Sequence, residues 1–222
     1  MTGDITPRSR RAMVDAFLKR NRETIGAGGR GRLIFALDAT ASRQPTWDAA
    51  VGLQAEMFAD VGRIGGLQVQ LVFYRGNECR ASDWTDSAHA LADKIRKISC
   101  VGGATQIGRV LAHIRQEHRR RPVGAAVFVG DCCEESPGGL YDVATGLGAP
   151  LFVFQEGVDP TASIVFPELA RRTKGAFARL DSNAARELAE LLRAVAAFAA
   201  GGTRALTDLR TEGARRLLTQ LK

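Results

Sequence analysis

Residues 33–42 read Leu33-Ile34-Phe35-Ala36-Leu37-Asp38-Ala39-Thr40-Ala41-Ser42. The first five are apolar without a break, as expected of a strand buried on both faces. The run stops on a carboxylate, and two hydroxyls follow at alternate positions. A strand covered on both faces belongs in a parallel sheet, and such sheets bind ligands in the crevice at the carboxyl ends of their strands. Asp38, Thr40 and Ser42 stand where that crevice opens.

On either side of this stretch, apolar runs and helical periodicities alternate. Pro45 to Ile64 carries Trp47, Ala50, Val51, Met57, Phe58, Val61 and Ile64 at helical spacing and closes on Gly65-Gly66. Strands are predicted at Leu67–Tyr74, Ala125–Val129, Leu151–Phe154 and, weakly, Ala176–Leu180, with a short edge strand at Glu78–Ala81. Helices are predicted at Ser87–Ile98, Thr105–Arg119, Pro137–Leu147, Pro160–Thr173 and Asn183–Ala200. Strands separated by helices give a Rossmann-like, doubly wound α/β fold: a mostly parallel sheet with helices on both faces.

Two basic segments flank this body. Ser9–Thr24 has the pattern of an amphipathic helix, followed by the linker-like Gly26-Ala27-Gly28-Gly29-Arg30-Gly31. Beyond Gly201-Gly202, Thr203–Leu221 reads as one basic amphipathic helix. The predicted division is therefore 1–30 (helix and linker), 31–200 (the α/β domain) and 201–222 (terminal helix). Packing of the flanking helices, by their apolar faces, onto the domain or onto a second copy is expected.

The 222 residues, 45% of them hydrophobic and 25% charged, suit one sizeable globular domain and exclude a fibrous chain. No apolar run reaches the ~20 residues that span a bilayer. The first residues lack the order of a signal peptide, and four cysteines without framework spacing do not describe a small secreted fold. A cytoplasmic protein with reduced thiols is the expectation. The net charge of +7 is unevenly placed: residues 1–32 hold eight Lys/Arg and three acids, and residues 203–222 hold five and two, leaving 18 bases and 19 acids between them. Nucleic-acid binding through the body is disfavoured, although the basic flanks offer an attraction for nucleic acid or another acidic partner, the reading of a nucleic-acid accessory protein. Trp47 and Trp84 show no base-stacking pattern.

Two further polar groups fall at strand ends or helix starts. Val101-Gly102-Gly103-Ala104-Thr105 sets a hydroxyl at the start of a helix, and Val127-Phe128-Val129-Gly130-Asp131 ends a strand on a second carboxylate. The five side chains Asp38, Thr40, Ser42, Thr105 and Asp131 offer only oxygen, a donor set that suits Mg²⁺ or Mn²⁺ better than a thiophilic metal.

Asp-x-Thr-x-Ser, then Gly-Gly-x-Thr, then an Asp ending a later apolar strand, resembles the von Willebrand factor type A (VWA) domain and its metal-ion-dependent adhesion site. The resemblance covers about residues 31–200. It implies that Asp38, Thr40, Ser42, Thr105 and Asp131 hold a divalent cation, the hydroxyls directly and the acids often through water. It further implies a protein-interaction module, in which one open position on the ion takes an Asp or Glu of a partner protein. Gly103, Cys132, Glu134 and Glu135 then stand at the rim. Two features depart from the family pattern. Thr40 replaces the usual Ser and keeps the hydroxyl; Asp131 lies in Gly130-Asp131-Cys132-Cys133-Glu134-Glu135, where the two glutamates either add acidity near the ion or cap the next helix.

Plainer readings compete. At strand ends Asp38 and Asp131 also fit ordinary helix caps, and Thr105 a natural N-cap, a reading that the three motif pieces in register outweigh. A haloacid-dehalogenase-like, Mg²⁺-dependent phosphohydrolase is the alternative function, with Asp38 as nucleophile. Against it, Thr40 stands where a second Asp is usual, and no lysine lies between Thr105 and Asp131 or between Asp131 and Lys174. His113 and His118, five apart, form a poor metal face and read as surface residues. Arg119-Arg120-Arg121 reads as a solvated helix end. Cys132 and Cys133 read as small packing residues rather than a redox switch, and Cys79 and Cys100 as structural.

Overall fold

The computed structural model describes residues 31–44, 67–180 and 184–221, the side chains of residues 184 and 185 excepted. The helices expected at Ser9–Thr24 and Pro45–Ile64, and most of the glycine linker, lie outside the described residues. The chain from Gly31 to Asp38 forms β1. It pairs in parallel with β2 (Leu67–Arg75) on one side and β4 (Ala125–Gly130) on the other. β3 (Glu78–Ala81) pairs antiparallel outside β2, while β5 (Leu151–Gln155) and β6 (Phe177–Arg179) continue the parallel sheet beyond β4. The order is β3-β2-β1-β4-β5-β6. The chain leaves β1 towards β2 and later returns to β4 on the opposite side. The point where strand order reverses thus lies between the ends of β1 and β4, the place where such sheets bind ligands.

The apolar runs fill both faces. Leu33, Phe35 and Leu37 enter one core with Val127, Val129, Phe152 and Phe154; Ile34 and Ala36 enter the other with Ala126, Phe128, Leu151 and Val153. Alternation by face within a continuously apolar strand is what burial on two sides demands. The first core is roofed by α1 (Ala88–Arg96), α5 (Ala184–Leu209) and α6 (Glu212–Leu218), the second by α2 (Ile107–Arg120), α3 (Pro137–Thr145) and α4 (Pro160–Arg172). Ser87, Asp159 and Thr211 cap α1, α4 and α6 by accepting from Ala90, Ala162 and Ala214 N–H.

One boundary differs from expectation. The terminal basic helix is two. α5 is interrupted at Gly201 and Gly202, where φ becomes +66° at the second glycine, and helix resumes only to Leu209. Arg210 then takes φ +53° before Thr211 starts α6. Leu206, before this turn, and Ala214 and Leu217, after it, are all buried in the first core. Gln220, just past α6, uses its amide to accept from Phe177 N–H (2.9 Å) and donate to Phe177 O (2.9 Å), covering the β6 edge.

The histidines also differ from the surface reading. His113 is half-buried with Nε2 2.9 Å from Gln70 Oε1, and burial holds its pKa below the ordinary imidazole value. His118 Nδ1 accepts from Val123 N–H at 3.3 Å. Both are structural. None of the four cysteines is in a disulfide, and among the described residues no helix is long and apolar enough to cross a membrane.

Candidate functional site

Asp38 closes β1 with no exposed surface. Its Oδ1 accepts from Thr40 N–H at 2.8 Å and its Oδ2 from the Tyr74 hydroxyl at 2.7 Å. Tyr74 comes from β2, directly across the register from Asp38. The Thr40 and Ser42 hydroxyls lie 3.1 Å apart, so the loop curls as alternate positions require. Burial raises the Asp38 pKa above its ordinary value; the Thr40 and Tyr74 hydrogen bonds oppose this, and the Asp131 charge adds to it.

Asp131 follows β4. A Cβ on Gly130 would meet the Asp38 Cβ at 3.6 Å, which shows how closely the two strand ends approach. The Oδ1 of Asp131 is buried and has no hydrogen-bond partner. A buried carboxylate oxygen without a donor carries a large desolvation penalty. Beside it stands a second carboxyl whose ionisation Asp131 itself disfavours. A cation between them would relieve both.

The Thr105 loop is held at two points. Val101 N–H donates to Ala39 O at 3.0 Å, and a reciprocal pair joins Thr105 to the segment after Asp131: Thr105 N–H to Glu134 Oε2 (2.9 Å) and Glu134 N–H to Thr105 Oγ1 (3.1 Å). Gly103 is required by close packing, because a Cβ there would fall 2.4 Å from Gly76 O. Thr105 is not the N-cap of α2; Gln106 occupies that position without a side-chain cap bond. Glu135 takes the capping role from outside, accepting from Ile107 N–H and, at 2.9 Å, from Gly108 N–H. The two glutamates therefore serve the preceding loop and helix and not the next one, whose N-cap Ser136 has no side-chain bond. One Thr105 lone pair is used by Glu134 N–H, leaving the second for another partner.

Sequence reasoning missed the group beneath these loops. Arg43, its side chain fully enclosed, grips Glu156 in a two-pronged ion pair, Nη2–Oε1 2.7 Å and Nε–Oε2 3.2 Å. Its Nη1 donates to Asp38 O (3.2 Å) and Val129 O (3.3 Å), bracing the ends of β1 and β4. Glu156 N–H donates to Gly130 O at 2.9 Å. The signal for Glu156 was available: a carboxylate follows the apolar run of β5 as Asp131 follows that of β4.

Cys132 and Cys133 sit in an acidic, partly buried setting. Burial, then the charges of Asp159, Glu134, Asp131 and Asp38, raise the Cys132 thiol; burial chiefly pushes Cys133 up to about 11. Both are held protonated, the opposite of a reactive thiolate. Among the described residues no three His, Cys, Asp or Glu side chains cluster as a metal cage. Donors at this edge are two carboxylates supplemented by hydroxyls, a set that fits a hard divalent cation and no soft one.

No protein-family profile matches the sequence, and no curated protein is similar to it. Solved structures do match in fold. BatB from Bacteroides thetaiotaomicron is 19% identical with a TM-score of 0.57, over 72% of this chain and 96% of its own. A von Willebrand factor type A protein from Catenulispora acidiphila is 18% identical with a TM-score of 0.60, over 78% of this chain but only 43% of its own length. The SpRpn10 VWA domain reaches a TM-score of 0.50 at 9% identity, covering 72% of this chain and 94% of that one. The chain has the α/β fold of VWA domains.

Proposed function

We propose that the protein is an interaction module that binds Mg²⁺ or Mn²⁺ through Asp38, Thr40, Ser42, Thr105 and Asp131 and, through that ion, an acidic residue of a partner protein. The observation that carries the reading is the unpartnered, buried Oδ1 of Asp131 beside the enclosed carboxyl of Asp38, at the point where strand order reverses. When bound, the ion supplies positive charge to which a partner's carboxylate can be drawn. Neutral hydroxyl donors leave much of that charge uncancelled. Arg43 and Glu156 hold the loop ends in place.

The same geometry counts against a phosphohydrolase. Both oxygens of Asp38 are already engaged, by Thr40 N–H and by the Tyr74 hydroxyl, which suits an oriented outer carboxylate better than a nucleophile. Glu134 and Glu135 are committed to Thr105, Ile107 and Gly108. The test is Mn²⁺ binding by calorimetry together with a phosphatase screen on a generic aryl phosphate. The reading expects one Mn²⁺ per chain, lost in Asp38→Ala and Thr105→Ala, and no turnover. Turnover abolished by Asp38→Asn would overturn it.

A further inference from the structure

The two edges of the sheet are finished differently. At β6 the Gln220 amide pairs with both backbone groups of Phe177. No such cover lies over β3 among the described residues. Ser82 N–H donates to Leu71 O, one step beyond the Val72–Ala81 pair, so the backbone groups of Arg80 and Glu78 also turn inwards to β2. Those of Cys79 and Ala81 turn outwards, and among the described residues they meet no partner. Uncovered backbone groups on an edge strand are a template for another polypeptide strand.

A hollow of about 300 Å³ lies between this edge and α2. Val72, Cys79, Ala81 and Ala112 give it a small, apolar lining; Arg80, Arg109 and Gln116 are among its polar groups. Cys79 and Ala81 pair with Tyr74 and Val72 of the second core, so their side chains lie on the face that α2 covers. A strand added beside β3 turns every second side chain to that same face. The charge there is positive. Glu78 is shared by Arg75 and Arg80, Glu117 by Arg32 and Arg120, and Glu135 is engaged by the first N–H groups of α2. Arg109 has only neutral acceptors, Asn77 O at 3.0 Å and Gln106 Oε1. At the Cys79 thiol, in the lining, the pull of Arg109 exceeds the push of Glu135. Asp83 stands beyond the end of β3.

We propose that an extended acidic segment of a partner protein adds to the β3 edge as a further strand, its backbone paired with Cys79 and Ala81 and its acidic side chains, at every second position, directed to Arg109 and Arg80. The backbone of such a segment answers the open edge and its acids answer the arginines. No Phe, Tyr or Trp lines the hollow, so a nucleic-acid strand finds no stacking platform there. The surface needs no metal and does not depend on the cation site.

The experiment is selection of a random peptide phage library on the immobilised full chain in EDTA, which keeps any cation site out of play. Enriched clones should carry Asp or Glu at alternate positions. A synthetic peptide so selected should bind Gln116→Lys several-fold more tightly than the parent and Gln116→Glu several-fold more weakly. Gln116 is exposed and has no hydrogen bond to lose among the described residues, so both variants keep the fold. Methylating alternate amides of the peptide should abolish binding in one phase and spare it in the other, because only every second amide pairs with the edge. No enrichment, clones without acids, equal affinity for the two Gln116 variants, or indifference to methylation in both phases would each overturn the proposal. So would single-stranded DNA that displaces the peptide at a lower concentration than free peptide does, a result that assigns the hollow to nucleic acid.

Discussion

The two ends of β1 carry buried charges of opposite sign, and the chain treats them differently. Arg32, near the start, is answered completely. Its Nη2 donates to Glu117 Oε2 at 2.8 Å, its Nη1 to Arg121 O at 2.6 Å, and its guanidinium lies 3.7 Å from the centre of the Trp84 ring. Trp84 Nε1 and Arg120 also donate to Glu117. Asp38, at the other end, shares its surroundings with a second carboxylate, one of whose oxygens has no donor. A network in which every member is satisfied fixes the fold. A cluster of like charges with an orphaned oxygen is expected where a ligand completes it.

Removing Arg43 has the largest expected effect, because it strands Glu156 in the interior and unties β1 from β4. Arg43→Ala should lower the unfolding free energy by about 3–5 kcal/mol in urea denaturation, the cost of breaking a buried pair from one side. A loss below 1 kcal/mol would mean that the pair does not brace the site.

Next comes the orphan. Asp131→Ala should weaken Mn²⁺ binding by roughly 10–100-fold in calorimetry while leaving metal-free stability equal or higher. Glu117→Ala should do the reverse, costing on the order of 3 kcal/mol of stability with metal affinity intact. If either variant shows the other's behaviour, the contrast between the two ends fails.

Smaller is the opposite pH dependence of the two ends. The Asp38 pKa is raised, so its contribution to metal-free stability is greatest below the unfolded value of 3.8 and declines as pH rises through the folded pKa. Asp38→Asn should remove that decline. Burial alone would push Glu117 upward, but hydrogen bonds from Trp84, Arg32 and Arg120 outweigh it and hold its pKa below 4.5. Its contribution is present above 4.5 and is lost as pH falls through the folded value. Thermal melts of both variants against the parent between pH 3 and 7 read the two slopes. Smallest of all, Arg171→Ala, at an exposed pair with Glu168, should leave Tm unchanged.

Much of the fold was legible because hydrophobic runs report burial directly. β1, β4 and β5 fall within a residue or two of the apolar runs that predicted them, and even the edge strand Glu78–Ala81 was readable. Spacing also put Asp38, Thr40 and Ser42 on one curled loop. Pairings made over long separations were not legible. Tyr74 stood only as the last residue of a predicted strand, and nothing local tied its hydroxyl to Asp38 or tied Arg43 to Glu156, 113 residues away. The helix break at Arg210 was hidden because its positive φ is carried by a residue that seldom adopts one. Glu135 as the cap of α2 had no local cue, since caps are sought within the same few residues and this one comes from 28 residues on.

The most direct measurement is calorimetric titration of Mn²⁺ into the metal-free full chain at neutral pH, with Thr105→Ala and Asp131→Ala alongside. A single binding event is expected in the parent, reversed by EDTA and reduced at least tenfold in each variant, although the two side chains come from separate loops. Binding in both variants equal to that of the parent would contradict it.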